Sequence, residues 1–363
     1  MKKRVLLGMS GGVDSSVSAI LLKEKGYEII GSTMKLWTGN NKIDKEKNEK
    51  TIIDAKRVCD KLNIKHYILD AQKEFEESVI NNFILQYQNA ETPNPCIECN
   101  KYIKFGYFYQ KAKELKCDYI ATGHYARIEY SDKYKQFVLE KSKEEKKDQS
   151  YFLYTISKEK LKSIIFPLQD YTTKEEIRKI AKENGLEIAD KKDSQEICFI
   201  PDNCYQNFLN GKIENGDKEG KIILKTGEVL GKHKGLVNYT IGQRKGISIS
   251  YKEPLYVIEL RSDTNELVVG PEKELYSKRL TASNINWQID FDEKEINCLA
   301  KIRYRAKEKK AKVIKEEDKV IVEFETPQRA ITKGQSVVFY DEEGIVLGGR
   351  KNFIKKLVYF KYL

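Results

Sequence analysis

The chain has 363 residues, of which 40% are hydrophobic and 33% are charged. At roughly 100–200 residues per domain, this length predicts two or three domains and excludes a small disulfide-stapled scaffold. Apolar residues occur along the whole chain, and no apolar run approaches the roughly 18 residues of a membrane span. We therefore expect a folded protein of the cytoplasm, without a signal peptide or a membrane segment.

The charge is basic and unevenly distributed. Lys and Arg number 66 against 55 Asp and Glu, a net charge of +11, and residues 301–319 alone carry a surplus of five positive charges. Such a stretch attracts polyanions, so RNA, DNA or an anionic membrane surface are candidate partners. A lysine-rich composition with solvated faces is the competing explanation.

The first two hundred residues alternate predicted strands and helices. In chain order these are strand 4–8, helix 13–25, strand 27–34, helix 51–62, strand 66–69, helix 74–88, helix 101–115 and strand 119–121. This alternation predicts a doubly wound parallel α/β domain over residues 1–205. The charged segment 140–148 is predicted to be a solvated loop within it.

From residue 206 the pattern changes to short apolar runs between turn residues. The runs 221–224, 228–230, 256–259 and 267–269 predict a small β-rich central domain over residues 206–275. The runs 298–303, 319–324, 336–340 and 344–347 predict a C-terminal β-barrel over residues 276–363. The basic stretch lies in this last domain.

A glycine-rich turn, Ser10–Ser16 with the sequence SGGVDSS, joins the first predicted strand to the first predicted helix. Backbone N–H groups at such a turn, together with the helix N-terminus, bind phosphate. The turn is neither a Walker A loop nor a GxGxxG turn. Asp14 is expected to hold magnesium or to cap the helix. The string resembles the PP-loop of the ATP pyrophosphatases, whose domain is of the adenine nucleotide alpha hydrolase-like type.

Three of the seven cysteines stand in suggestive contexts. Cys96 and Cys99 precede a predicted helix, whose dipole, with Lys101 and Lys104, is expected to favour the thiolate. Cys198 supplies a third thiol, although its apolar neighbours also suit a core position. The remaining cysteines are interpreted as ordinary thiols: Cys59, Cys117, Cys204 and Cys298.

Several strings occur together in a characteristic order. They are GMSGGVDSS, TPNPC-x-x-CN-x-x-IKF, ATGHYAR, KDQSYFL, DSQEICF, YTIGQRKG, RYR and GQS. Over essentially the whole chain, this order resembles the bacterial tRNA-specific 2-thiouridylases, the MnmA or TrmU family. The resemblance implies a sulfurtransferase that converts the wobble uridine of the tRNAs for Lys, Glu and Gln to 2-thiouridine. It implies ATP and Mg²⁺ as cofactors, an adenylated uridine, and a cysteine persulfide as the source of sulfur.

The resemblance also implies roles for individual residues. Cys99 is the nucleophile, Cys198 carries the persulfide, and the two form a transient catalytic disulfide. The expected ATP-binding residues are Gly8, Met9, Ser10, Gly11, Gly12, Val13, Asp14, Ser15, Met34 and Gly123. The expected tRNA-binding residues are Asn94, Pro95, Cys96, His124, Lys147, Asp148, Gln149, Arg303, Tyr304 and Gln335. The implied partners are tRNA and a persulfide donor, either a cysteine desulfurase or a sulfur relay protein.

Cys96 departs from the pattern, because many family members have an Asp there, thought to act as an acid or base beside the target base. Cys96 is therefore assigned a possible auxiliary role. With Cys99 and Cys198 it could instead hold an iron–sulfur cluster, and we favour the persulfide relay over that cluster. Two competing functions are those of a PP-loop synthetase that adenylates a small metabolite and of a non-catalytic RNA-binding relative.

Overall fold

The protein is described by a computed structural model. It covers residues 2–37, 39, 42–191, 197–200, 204–213, 216, 218–317 and 319–351, with residues 42–44, 47 and 351 described in their backbone alone. Asp193–Glu196, the first part of the DSQEICF string, lie outside the described residues. No helix in the described part of the chain is both long and apolar enough to span a membrane.

Contacts divide the chain into two compact units. The first contains Met1–Ile80, Pro95–Asn203 and Gly344–Val346, and the second contains Asn81–Asn94, Cys204–Glu343 and Leu347–Leu363. The segment Asn81–Asn94 thus groups with the C-terminal half of the chain, although it lies within the predicted first domain. The three-domain boundaries at 205 and 275 stay predictions.

The described helices are the following, in chain order: α1 Val13–Glu24, α2 Lys42–Lys61, α3 Gln72–Phe75, α4 Asn81–Gln88, α5 Pro95–Glu98, α6 Phe108–Glu114, α7 Lys158–Leu161, α8 Lys174–Glu183 and α9 Tyr205–Leu209. Two π-helical stretches, Glu76–Ile80 and Cys99–Tyr107, join α3 to α4 and α5 to α6. The predicted helix 101–115 therefore begins earlier, at Pro95, which suits a first helical position because that residue needs no N–H donor.

Strands of the first unit are β1 Arg4–Gly8, β2 Glu28–Lys35, β3 Lys65–Asp70, β4 Tyr119–Ala121, β5 Arg127–Ser131, β6 Gln136–Glu140 and β7 Ile164–Ile165. Five of them form a parallel sheet in the order β3-β2-β1-β4-β7. The predicted doubly wound parallel sheet is confirmed. Because parallel strands end at the same edge, the loops after β1 and β4 lie side by side.

Segment 140–148 is largely a surface loop, as its composition predicts, but two of its residues are buried. Asp148 is buried, and its carboxylate accepts hydrogen bonds from the backbone N–H groups of Ser142 and Ser150, at 3.0 and 3.2 Å, and from the Ser150 hydroxyl at 2.9 Å. Ser142 is buried as well. An acidic residue that folds a turn around itself in this way cannot be distinguished by composition from one facing water.

Strands of the second unit are β8 Gly220–Leu224, β9 Val229–His233, β10 Tyr256–Arg261, β11 Glu266–Gly270, β12 Tyr276–Ser283, β13 Asn286–Trp287, β14 Glu295–Lys301, β15 Lys309–Lys315, β16 Lys319–Arg329, β17 Ser336–Tyr340 and β18 Val346–Lys351. They form two sheets, in the orders β10-β11-β8-β9 and β12-β16-β15-β14-β17-β18-β13. The predicted β-rich regions that follow the α/β domain are confirmed.

The segment Asn81–Asn94 is attached to the second unit by aromatic and apolar contacts. Tyr87 stacks on Tyr205, with ring centroids 4.9 Å apart, and Phe83 meets Phe208 edge to face at 6.1 Å. Ala90 is part of the apolar core that also contains Tyr239. These contacts between distant parts of the sequence explain why the unit boundary does not follow chain order.

Candidate active site

The phosphate loop follows β1 and leads directly into α1. Gly12 is the N-cap of α1, and within the described residues no side chain caps its first turn. Gly11 has φ +64°, and a Cβ there would lie 2.8 Å from the Thr51 carbonyl oxygen. The free N–H groups of the first turn and the glycine backbone form a surface that suits phosphate oxygens.

Some side chains of the loop lie in the protein core, and others bond to the backbone of the loop itself. Met9 and Val13 lie in the core of the first unit, so only their backbone can take part in nucleotide binding. The Ser15 hydroxyl donates to the Gly12 carbonyl oxygen at 3.1 Å and accepts from the Ser10 N–H at 3.2 Å. These bonds hold the loop in shape.

Asp14 does not cap α1, which was one of its two predicted roles. Its Oδ1 accepts from the Tyr125 hydroxyl and from the Lys174 ammonium, each at 2.6 Å. Lys174 is only 8% exposed and occupies the first position of α8, directly after the N-cap Thr173. A nearly buried ammonium group thus lies beside the loop, at a position for which the sequence carried no signal.

A second ammonium group, that of Lys191, also reaches the loop. Its Nζ donates to the Gly11 carbonyl oxygen and pairs with Asp54 Oδ2, both at 3.0 Å. Lys174 and Lys191 thus place two ammonium groups beside the helix N-terminus, each of them paired with a carboxylate. This arrangement is suited to a triphosphate and to pyrophosphate as a leaving group.

Gly123, which follows β4, packs directly against the phosphate loop. A Cβ at this position would lie 3.0 Å from the Asp14 carbonyl carbon and 3.1 Å from the Ser15 nitrogen. A side chain here would require the loop to shift by a few tenths of an ångström, so glycine suits this close approach. Met34, the other predicted nucleotide contact, is half-buried near the end of β2, the strand next to β1.

Cys96 and Cys99 lie at the start of the helical stretch that begins at Pro95. Cys96 is exposed and Cys99 is buried. Burial raises the pKa of the Cys99 thiol to about 11, and the nearby Lys104 opposes this shift without cancelling it. Lys104 therefore favours the thiolate, as predicted, but desolvation is the larger effect and Cys99 remains a thiol at neutral pH.

Lys104 is positioned by His124. Its Nζ lies 3.1 Å from His124 Nε2, and His124 Nδ1 lies 2.7 Å from the Thr122 hydroxyl oxygen. Burial lowers the pKa of His124 well below its ordinary value, and the positive charge of Lys104 lowers it further. An ammonium group can only donate, so the imidazole is neutral, accepts at Nε2 and donates from Nδ1.

Cys198 brings a third sulfur into the same electrostatic environment. Desolvation by the surrounding protein raises the pKa of its thiol to about 12. Cys99 and Cys96 raise this pKa further, because neighbouring thiolates would repel one another. The residue itself keeps exposed surface. Among the residues that the structure describes, no three Cys, His, Asp or Glu are arranged as they would be around a metal ion.

The predicted tRNA contacts of the first unit are partly engaged within the protein. Gln149 Oε1 accepts from the Tyr125 N–H at 3.0 Å, and the His124 ring is 7% exposed. Lys147 is half-buried beside the buried Asp148. Contact of these residues with tRNA stays a prediction.

In the second unit, Arg303 and Gln335 also bond to their own chain. The Arg303 guanidinium donates to the Ala330 carbonyl oxygen at 2.6 Å, and Gln335 Nε2 donates to the Thr92 carbonyl oxygen at 3.0 Å. Tyr304 is half-buried, with Lys301 Nζ 5.9 Å from its ring centroid. The adjoining Arg305 is exposed.

Comparison with known proteins decides the family. The tRNA methyl transferase HUP domain model matches residues 3–202, the tRNA methyl transferase PRC-barrel domain matches 206–271, and the aminomethyltransferase beta-barrel domain matches 277–351. The tRNA-specific 2-thiouridylase MnmA 1 of Caldanaerobacter subterraneus subsp. tengcongensis is 48% identical, covering 96% of this chain and 98% of that protein. The MnmA proteins of Clostridioides difficile and Clostridium beijerinckii are 46% and 47% identical, with the same coverage.

The chain belongs to the MnmA family of tRNA-specific 2-thiouridylases. The family resemblance found in the sequence strings is thus confirmed. Three features of the site were not predicted, since each depends on contacts between residues far apart in sequence. They are the positions of Lys174 and Lys191 beside the loop and the contact between His124 and Lys104.

The position of Lys104 predicts a specific change in thiol reactivity. Lys104→Met removes the charge that lowers the pKa of Cys99, so less thiolate forms at any given pH and alkylation by iodoacetamide should slow severalfold at pH 9. Peptide mass spectrometry against pH measures this rate for each cysteine. Lys101→Met, an exposed lysine on the same stretch, is the control and should leave the Cys99 rate unchanged. Equal rates in all three proteins would contradict the assignment.

Proposed function

We propose that this protein converts the wobble uridine of tRNA to 2-thiouridine, using ATP to activate carbon 2 and a cysteine persulfide to supply sulfur. The observation that carries the proposal is the Thr122–His124 segment. Gly123 packs on the phosphate loop, and His124 holds the lysine beside the thiols. One short segment therefore brings together an ATP-binding loop and sulfur chemistry.

In the first step, the oxygen on carbon 2 of uracil attacks the α-phosphorus of ATP, and pyrophosphate leaves. The oxygen on carbon 2 is a poor leaving group by itself, and after this step it can leave as part of AMP. The N–H groups at the start of α1, with Lys174 and Lys191, suit the negative charge that develops on the departing pyrophosphate. Mg²⁺, when bound with ATP, would add further charge neutralisation. Asp14 is the carboxylate on the loop that would hold it, although its Oδ1 is engaged with Lys174 in this arrangement.

In the second step, Cys198 carries the persulfide that a donor protein has loaded. The Cys99 thiolate attacks Cys198 Sγ, and the bond from Sγ to the outer sulfur breaks. The outer sulfur leaves as hydrosulfide and adds to carbon 2, from which AMP then departs. A Cys99–Cys198 disulfide remains, and cellular thiols reduce it by two electrons. The exposure of Cys198 suits loading by a partner, and the burial of Cys99 suits chemistry shielded from water.

The substrate base must leave the anticodon stack to reach this site. The segment Asn94–Cys96 is the proposed contact with the target base. Tyr304 is a separate proposed contact with tRNA, because its ring suits stacking on a base. We assign the tRNAs for Lys, Glu and Gln as substrates and a cysteine desulfurase or sulfur relay protein as donor, acting in the cytoplasm. These assignments rest on the family.

A cluster-dependent thiolase is the second candidate mechanism. It is favoured by the presence of Cys96 as a third thiol, within electrostatic range of Cys99 and Cys198. The donor set suits an iron–sulfur cluster with one open iron, while its present arrangement is not that of a metal site among the described residues. No step of the relay depends on the cluster.

Loss of the loop carboxylate should separate ATP chemistry from tRNA binding. Asp14→Ala leaves Lys174 without its carboxylate partner and removes the proposed Mg²⁺ ligand, so tRNA-dependent release of pyrophosphate should be abolished while tRNA affinity changes by no more than a few fold. Lys174→Met should weaken ATP binding by roughly tenfold to a hundredfold, the range for one charge-assisted hydrogen bond. Lys179→Met, an exposed lysine on α8, is the matched control. Normal thiolation by Asp14→Ala would refute the assigned site.

Iron content discriminates the relay from the cluster. Protein purified without oxygen should contain little iron, show no broad visible absorption, and remain active with a persulfide donor in the presence of an iron-selective chelator and excess Mg²⁺. About four irons per chain, with activity lost on chelation, would replace the relay by the cluster mechanism. Cys96→Asp sharpens the comparison, because it should preserve a relay and weaken a cluster held by three thiolates.

A further inference from the structure

The backbone of Thr92 is held from both sides by residues 333–335. Its N–H donates to the Lys333 carbonyl oxygen at 3.0 Å, and its carbonyl oxygen accepts from Gln335 Nε2 at 3.0 Å. Gly334 lies between these two contacts with φ +87°. A Cβ at Gly334 would lie 2.6 Å from the Thr92 oxygen and 2.8 Å from its nitrogen, so the turn closes around Thr92 as tightly as a backbone can.

Arg303 supports the start of this turn. Its guanidinium donates to the Ala330 carbonyl oxygen at 2.6 Å, to the Thr332 hydroxyl and to the Ile241 carbonyl oxygen at 3.4 Å. Ala330 is 1% exposed and has φ +55°, a conformation that needs such outside support in a residue other than glycine. Arg303 thus ties the YTIGQRKG string to the residues that immediately precede the Thr92 contact.

Thr92 is a sensitive point because of the residues that follow it. Pro93 and Pro95 flank Asn94. Each proline fixes its own φ and restricts the residue before it to extended conformations. With so few free torsions, the direction of the backbone at Thr92 largely determines where Asn94 lies.

We propose that Arg303 and Gln335 are positioning residues that act through Thr92 to set the target-base segment, a role distinct from any contact that they make with tRNA. This inference rests on the proposed function, in which Asn94 contacts the base. The neighbouring exposed Arg305 is the arginine of the RYR string that remains available for phosphate. The strings YTIGQRKG, RYR and GQS thereby form one chain of contacts that ends at Thr92.

The kinetic test separates positioning from binding. Gln335→Ala should lower kcat for thiolation by about two- to tenfold, the range for one neutral hydrogen bond, and saturation with tRNA should not restore it. Arg303→Lys keeps the charge and loses the guanidinium geometry, so it should show the same signature. Arg305→Ala should instead raise the Kd for tRNA, and the slope of log affinity against log salt concentration should become shallower by about one unit. Gln110→Ala, an exposed glutamine on α6, controls for the substitution itself.

A second readout does not depend on activity. Hydrogen exchange of the Thr92 amide should accelerate in Gln335→Ala and Arg303→Lys and stay unchanged in Arg305→Ala and Gln110→Ala. If Gln335→Ala raises the Kd for tRNA with kcat and exchange unchanged, the positioning role is overturned and direct contact replaces it. If the wild-type protein lacks thiolation altogether, the proposed function fails, and unchanged exchange in the variants would separately overturn the contact chain.

Discussion

The close approach of Gly123 to the phosphate loop is the constraint on which the rest of the site depends. A Cβ at this position would lie only 3.0–3.1 Å from backbone atoms of Asp14 and Ser15, so a side chain here would press against the loop. Since the preceding strand β4 pairs directly with β1, the sheet delivers both loops to the same edge. Thr122 and His124, on either side of Gly123, then hold Lys104 beside the thiols. The nucleotide loop and the sulfur chemistry are joined through three consecutive residues.

The electrostatics of the site favour a protected resting state. Desolvation by the surrounding protein keeps the pKa of Cys99 at about 11 and that of Cys198 at about 12, so both are thiols at neutral pH. Lys104 is the positive charge that opposes this shift, and a neutral His124 holds it without competing for its charge.

Much of the fold follows from local pattern. Local sequence signals predict strand β1, the SGGVDSS turn and helix α1, because apolar periodicity marks the strand and the helix and glycine marks the turn. What sequence reasoning missed depends on contacts between distant residues: the burial that keeps Cys99 protonated, the turn that encloses Asp148, and the pairing of Lys174 with Asp14. Arg303 is a further example. Within the RYR string, Arg303 bonds to its own chain while Arg305 is exposed, and the sequence does not distinguish the two.

The central claim is that adenylation of the base precedes sulfur transfer at one site. A tRNA whose wobble uridine carries ¹⁸O at carbon 2 tests it, because the oxygen that leaves the base must depart with AMP. Thiolation with ATP and a persulfide donor should yield AMP containing one ¹⁸O atom for every 2-thiouridine formed. Recovery of that ¹⁸O in water, with unlabelled AMP, would contradict activation of the uridine by ATP.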